Sequence, residues 1–123
     1  MRAIISLGSN FGEREKYITD ATQAMCELGE VKRDSGLYES PAIDGVSFPY
    51  INSVIELDTS LSNEELERKI KELETRLGRD RAKFPHNIVP IDIDLVIFGD
   101  SIIRPVDYSR EYFRRGYSII GQF

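Results

Sequence analysis

One segment leaves this chain little freedom. From Ile91 to Phe98 the residues alternate so that Ile91, Ile93, Leu95 and Ile97 share one face of an extended strand. That face is wholly apolar and has to be covered by helices. The opposite face begins with Asp92 and Asp94, whose Cα atoms lie roughly 6.7 Å apart in a strand. Two like charges side by side cost free energy unless a cation, a donor or water offsets them. The pair can converge on one or two hard cations, or it can be a solvated sheet edge. Its interruption of an otherwise apolar strand weakens the second reading.

The rest of the chain supplies the covering helices. Ala3 to Leu7 reads as a short strand ended by Gly8-Ser9-Asn10, and Glu13 to Leu28 as a helix with Tyr17, Ile18, Ala21, Met25 and Leu28 inward. Val31 to Tyr38 is a weaker strand, and Ser40 to Pro49 a loop long enough to be functional. In the strand Tyr50 to Leu57, residues Ile51, Ser53, Ile55 and Leu57 share one face, and Tyr50, Asn52, Val54 and Glu56 the other. Ser62 with Glu65 makes a capping box, and Leu66, Ile70, Leu73 and Leu77 form one stripe before Gly78. After Phe98 come a turn at Gly99-Asp100, a short Ile102-Ile103 segment and a helical turn around Ser109 to Arg114. Strand, helix, strand, strand, helix, strand is the order of an α+β, ferredoxin-like (split βαβ) fold, an antiparallel sheet with its helices on one face. That architecture hosts many functions, so function has to come from the site.

Composition narrows the classes. The 123 residues carry 16 Lys+Arg against 21 Asp+Glu, a net charge of −5, which argues against wholesale nucleic-acid binding. A chain of this length buries roughly 65% of its unfolded surface, enough for one core. The lone Cys26 and lone His86 form neither a disulfide nor a zinc set, and fit a reducing, cytoplasmic setting. No apolar run approaches the ~20 residues of a membrane span. No phosphate-cradling glycine loop or dinucleotide fingerprint occurs, so side chains have to hold any nucleotide. No Ser/His/Asp or Cys/His set can be assembled, which speaks against covalent catalysis.

Cations gather around the acid pair in sequence: Arg76, Arg79, Arg81 and Lys83 before it, and Arg104, Arg110, Arg114 and Arg115 after the hairpin. Acids holding Mg²⁺ while guanidinium groups take phosphate oxygens are what a metal-bound polyphosphate requires. Scattered surface arginines are the plainer alternative. Tyr50 and Asn52, on one strand face, pair a flat ring with an amide able to read a heterocycle's edge; ordinary sheet surface would look the same.

These residues, in this order, resemble the 6-hydroxymethyl-7,8-dihydropterin pyrophosphokinases of folate biosynthesis over nearly the whole chain. The likeness rests on Leu7-Gly8-Ser9-Asn10, Tyr38-Glu39-Ser40-Pro41, Tyr50-Ile51-Asn52, Glu74, Gly78-Arg79-Asp80-Arg81 and Pro90-Ile91-Asp92-Ile93-Asp94-Leu95-Val96-Ile97-Phe98-Gly99. It implies a single pyrophosphokinase-like domain over residues 1–123, a monomer that moves the pyrophosphoryl unit of ATP to the pterin hydroxymethyl group and releases AMP. By that likeness Asp92 and Asp94 bridge two Mg²⁺ ions, with Arg79 and Arg81 beside them in catalysis. Glu74, Arg79, Arg81, Ile91 and Arg115 contact ATP. Tyr50 and Tyr117 sandwich the pterin, with Ser40, Pro41, Ile43 and Asn52 at its edge. The segments 40–49 and 81–89 correspond to the family's mobile loops. Two positions depart from the pattern: Val89 stands where the family usually has Arg, and Val106 where it has His. The chain also ends at Phe123, short of the usual C-terminal extension. Those departures keep a second expectation open, a non-catalytic nucleotide- or pterin-binding module on the same fold.

Overall fold

The computed structural model describes residues 1–121. The elements run β1 (Arg2–Ser9), α1 (Arg14–Met25), β2 (Glu30–Asp34), β3 (Tyr38–Ser40), β4 (Tyr50–Asp58), α2 (Asn63–Leu77), β5 (Asp92–Phe98), β6 (Ser101–Ile102), α3 (Pro105–Ser109) and α4 (Glu111–Ile120). All strand pairs are antiparallel, in the order β2-β4-β1-β5-β6, and β3 extends the β2 edge by pairing with β4. The strand expected from Val31 to Tyr38 is therefore two shorter ones, separated at Ser35 to Leu37.

On one face of the sheet α1 and α2 bury Ile18, Ala21 and Met25 with Leu66, Ile70 and Leu73 against Ala3, Ile5 and Leu7 of β1 and Ile51, Ile55 and Leu57 of β4. The period of two in the strands and of 3–4 in the helices produces this core directly. The capping box of α2 is formed, with the Ser62 hydroxyl accepting from the Glu65 amide and the Glu65 carboxylate accepting from the Ser62 amide. Ser62→Ala is expected to lower stability by about 1 kcal/mol, read as a shift in the urea midpoint with an unchanged slope.

The second face departs from expectation. Instead of a helical turn, residues 111–120 form a full helix, α4, whose Phe113 and Ile120 pack on Ile4, Val54, Val96 and Ile97. Helices consequently lie on both faces, because an amphipathic α4 buries its own apolar stripe against the strip of sheet that α1 and α2 leave open. Ile97 is part of this second core and not of the first. Ile4 pairs with Ile97 but Ile5 with Leu95, so Val96 is an inserted residue, and the bulge reverses the alternation beyond it. Ile91, Ile93 and Leu95 keep the expected face, and Phe98 joins them from the far side of the bulge. Among the described residues no helix is long and apolar enough to cross a membrane.

Candidate active site

α4 covers only one end of the second face. At the other end the sheet is bare, and its three central strands set the site in two rows. Asn52 of β4, Gly8 of β1 and Asp92 of β5 lie side by side in one row; Val54, Ser6 and Asp94 form the next. The middle strand contributes only Gly8 and Ser6, so the floor is low between taller walls. A Cβ on Gly8 would stand 3.3 Å from the Tyr50 ring and 3.5 Å from Asn52 Oδ1, which shows how closely both side chains lie over this glycine. The resulting cleft of about 450 Å³ is walled by Tyr50 and Asn52, by Tyr112 at the start of α4, by residues 40–44 with Ser47, and by His86 and Asn87.

Asn52 is buried, and its Nδ2 donates to Ser40 Oγ at 2.7 Å. This bond fixes the amide and ties β4 to the loop after β3. That loop is braced by Asp44, whose carboxylate accepts from the Val46 and Ser47 amides and the Ser47 hydroxyl; the Ser47 bonds and then that of Val46 hold its pKa down to about 2. Ile43, Val46 and Phe48 on this loop are exposed apolar side chains at the rim. The opposite rim is anchored by Asn10. Its backbone N–H donates to Val89 O, its Oδ1 accepts from Val89 N at 2.7 Å and its Nδ2 donates to Asn87 O. Phe11 and Phe84, with ring centroids 5.0 Å apart, pin the same segment further out.

At Asp92 and Asp94 the outer edge of β5 has no strand beside it, because β6 pairs only with Ile97 and Phe98. Side chains of α2 and the residue after its cap take that place. Glu74 Oε2 accepts from Ile93 N at 2.6 Å, Lys71 Nζ donates to Ile93 O at 3.2 Å, and Arg79 Nη1 donates to Ile91 O at 3.1 Å. The backbone between the two acids is thereby satisfied on both sides, which orients the carboxylates. Lys71 and Arg104 stand 3.5 and 3.8 Å from Asp94, and Arg79 3.7 Å from Asp92. Even so, burial and then the neighbouring Asp92 charge raise the Asp94 pKa, against the cations that lower it. Burial also raises the phenols of Tyr50 and Tyr112, which keeps them neutral.

Beyond Asp94 the surface opens into a second recess of about 440 Å³, walled by Glu64, Glu67, Arg68 and Lys71 of α2, by Leu95 and by Arg104. Asp94 is the residue common to both cavities. Among the described residues no three His, Cys, Asp or Glu side chains gather as a metal cage. A cation held by Asp92 and Asp94 would complete its shell with ligand oxygens and water, which suits Mg²⁺, an ion that takes one or two carboxylates together with substrate phosphates.

The sequence-predicted residues separate into two groups. Asp92, Asp94, Tyr50, Asn52, Ser40, Pro41 and Ile43 line the cleft together, and Arg79 reaches its edge. Glu74 is buried beneath β5 as a backbone acceptor. Arg81 lines a recess on the helix side together with Lys71, Glu74 and Arg79, beside Tyr17 and Phe84. The Ile91 side chain is fully buried in the first core, since odd-numbered residues of this strand point at the helices. Arg115 lies over the Tyr38 ring at 4.8 Å and donates to Glu39 O, outside the cleft. Tyr117 stacks on Phe113 at 5.4 Å, in the second core. The C-terminal ring at the cleft is Tyr112, five residues earlier. Val106 is exposed on α3. Lys71 was not singled out from the sequence; its position one turn before Glu74, on the helix face that meets β5, is the signal that marks it.

An antiparallel α+β sheet with a carboxylate pair at the junction of a heterocycle-sized cleft and a recess walled by charges of both signs has the layout of a site for two ligands. The sequence profile of 7,8-dihydro-6-hydroxymethylpterin-pyrophosphokinase (HPPK) matches residues 4–117. Relatives include a 2-amino-4-hydroxy-6-hydroxymethyldihydropteridine pyrophosphokinase of Aquifex aeolicus, 37% identical over 101 residues, covering 81% of this chain and 62% of the relative. A folate synthesis bifunctional protein of Chlamydia trachomatis is 37% identical over 103 residues, 78% of this chain and 23% of the relative. The folic acid synthesis protein fol1 of Pneumocystis carinii is 40% identical over 103 residues, 80% of this chain and 14% of the relative. The chain belongs to the HPPK family. It spans less than two thirds of the length of each of these relatives.

Proposed function

We propose that this chain transfers pyrophosphate from ATP to the hydroxymethyl group of 6-hydroxymethyl-7,8-dihydropterin, with release of AMP, as a step of folate biosynthesis. The observation that carries this reading is the position of Asp94 in both cavities at once, so that ligands filling them would meet at the acid pair. The cleft with Tyr50, Asn52 and Tyr112 suits a flat heterocycle: the two rings supply its faces and the Asn52 amide, held by Ser40, its edge. The recess with Lys71 and Arg104 suits the nucleotide. In the transfer a bond forms between the hydroxymethyl oxygen and the β-phosphorus, the bond from that phosphorus to the α-phosphate oxygen breaks, and the hydroxyl proton passes to solvent. Magnesium ions held by Asp92 and Asp94, two by the family likeness, would neutralise phosphate charge and polarise the reacting phosphoryl group. The protein's part is orientation: β1 and the α2 side chains fix the two carboxylates, and the loops at 40–49 and 81–89 flank the cleft.

The sheet order β2/β3-β4-β1-β5, with α1 and α2 on one face, supports a ferredoxin-like assignment to which α4 is an addition. We take residues 1–123 as one such domain, acting as a monomer in a reducing, cytoplasmic compartment. The test is direct. Protein mixed with ATP, Mg²⁺ and the reduced pterin should form AMP in proportion to enzyme, and omission of either the pterin or Mg²⁺ should stop it. Well-folded protein that binds both ligands yet forms no AMP is a binding module instead.

A further inference from the structure

We infer that Arg104 is the residue through which this chain grips the phosphates of its nucleotide, in place of the arginine that position 89 does not provide. The inference rests on the function proposed above. Val89 is 5% exposed, and its amide and carbonyl are both taken by Asn10. Position 89 is thus part of the packed anchor of its loop and offers no cation. Of the other basic residues after the hairpin, Arg110 has a buried Nε and forms no ion pair with either acid among the described residues, Arg114 lies over Tyr108 and Arg115 over Tyr38. Before it, Arg76 is paired with Glu27, and Arg81 and Lys83 face the recess on the helix side. Among the described residues, Lys71, Arg79 and Arg104 are the cations within ion-pair reach of Asp92 and Asp94.

Two of these three are committed to holding the strand. Lys71 donates to Ile93 O and pairs with Glu74, while Arg79 donates to Ile91 O from a side chain only 14% exposed. Arg79 is thus largely buried where it holds β5, and the Lys71 ammonium is shared between Ile93 O, Glu74 and Asp94. Arg104 has no such duty. It is tethered through Nε alone, to Asp107, and among the described residues its Nη1 and Nη2 make no hydrogen bond. Its side chain is 47% exposed and walls the recess beyond Asp94. A guanidinium fixed at one nitrogen, with its other two free beside a cavity, presents the fork that takes two phosphate oxygens. Residue 104 stands at the end of the β6 hairpin, immediately before Pro105 starts α3, so the backbone carrying this fork is set by two elements.

Calorimetric titration with α,β-methylene-ATP and Mg²⁺ tests this, because that analogue binds without transfer. Arg104→Ala should weaken it roughly 10- to 100-fold, the scale of a lost hydrogen-bonded charge contact. Arg104→Gln, which keeps an amide donor for Asp107, should lose nearly as much, and Arg104→Lys should recover part of it. Affinity for adenosine, which has no phosphate, and for the pterin should stay within about twofold. Arg76→Ala, an equal loss of charge away from both cavities, should change nothing by the same measure. Analogue binding by Arg104→Gln within about twofold of the parent overturns the inference, and so does an equal loss for adenosine and the analogue, which marks Arg104 as a structural clamp on α3. A parent protein that binds no nucleotide overturns the proposed function itself.

Discussion

Asp94→Asn is expected to lower AMP formation at least ~10³-fold and, in the absence of Mg²⁺, to raise thermal stability. Both effects come from the same placement. Asp94 is largely buried beside Asp92 on the same strand face, so the folded protein bears a like-charge pair that the unfolded chain does not. Burial and Asp92 raise the Asp94 pKa above the unfolded value, so the folded state binds its proton more tightly. Stability therefore falls as pH rises from the unfolded carboxylate's range, near about 4, through the raised value, and stays reduced above it. Asn carries no charge, so its gain appears at neutral pH and fades toward pH 4. Thermal unfolding from pH 4 to pH 8 measures this. Mg²⁺ should raise the midpoint of the parent protein and not that of the variant. Asp92→Asn should also stop AMP formation while leaving the fold intact, because residue 92 faces the cleft and not the first core. The size of the loss follows, on the proposed function, from removing one of the two carboxylates that would hold the magnesium ions against the phosphates. Turnover within about tenfold of the parent, or a lower midpoint for Asp94→Asn at pH 7 without metal, would contradict the assignment.

What could be read from the sequence, and what could not, follows from the range of the forces involved. The Asp92/Asp94 pair, the first core and the capping box at Ser62 are set by local period and by hydrogen bonds three residues apart, and all three are legible. The position of Ile97 depends on where β5 registers against β1, and a one-residue bulge reverses the prediction for every residue beyond it. The choice of Tyr112 over Tyr117 depends on a helix, α4, whose place is decided by packing on β4. Both tyrosines flank Phe113 in sequence, and only the rotation of the helix about its axis decides which one meets the cleft. Glu74 shows a third limit. The family likeness implies an ATP contact for it, and the structure shows a carboxylate 2% exposed and bonded to Ile93 N, holding the strand that carries the acids. Most of the residues named by the family likeness line one cleft, whereas where Arg81, Ile91, Arg115 and Tyr117 point is decided by packing.

Gly116→Ala should destabilise the protein, against the usual sense of that substitution in a helix. Within a helix interior Ala is favoured over Gly by about 1 kcal/mol. Here α4 crosses β4 so closely that a Cβ on Gly116 would lie 2.5 Å from both Tyr38 Oη and Val54 Cγ2, and 2.9 Å from Val54 Cβ. Neither neighbour has room to give. Val54 is a fully buried, β-branched residue in a paired strand, and Tyr38 is held by its hydroxyl, which donates to Tyr112 O. Burial pushes that phenol up to about 12, so it remains a donor across the working range. The added methyl group must therefore lift α4 from the sheet, at a cost of about 1–3 kcal/mol for overpacking, which offsets the propensity gain and leaves a net loss of up to about 2 kcal/mol. The same displacement strains the Tyr38 bond and moves Tyr112 away from Tyr50, so pterin affinity should fall several-fold although residue 116 touches neither cavity. Urea unfolding and pterin titration on one preparation measure both. Val54→Ala opens the space a Cβ at 116 requires, so Gly116→Ala should cost less in that background than alone. A more stable Gly116→Ala, or equal costs in both backgrounds, would show that the approach of α4 to β4 does not set the position of the cleft's C-terminal ring.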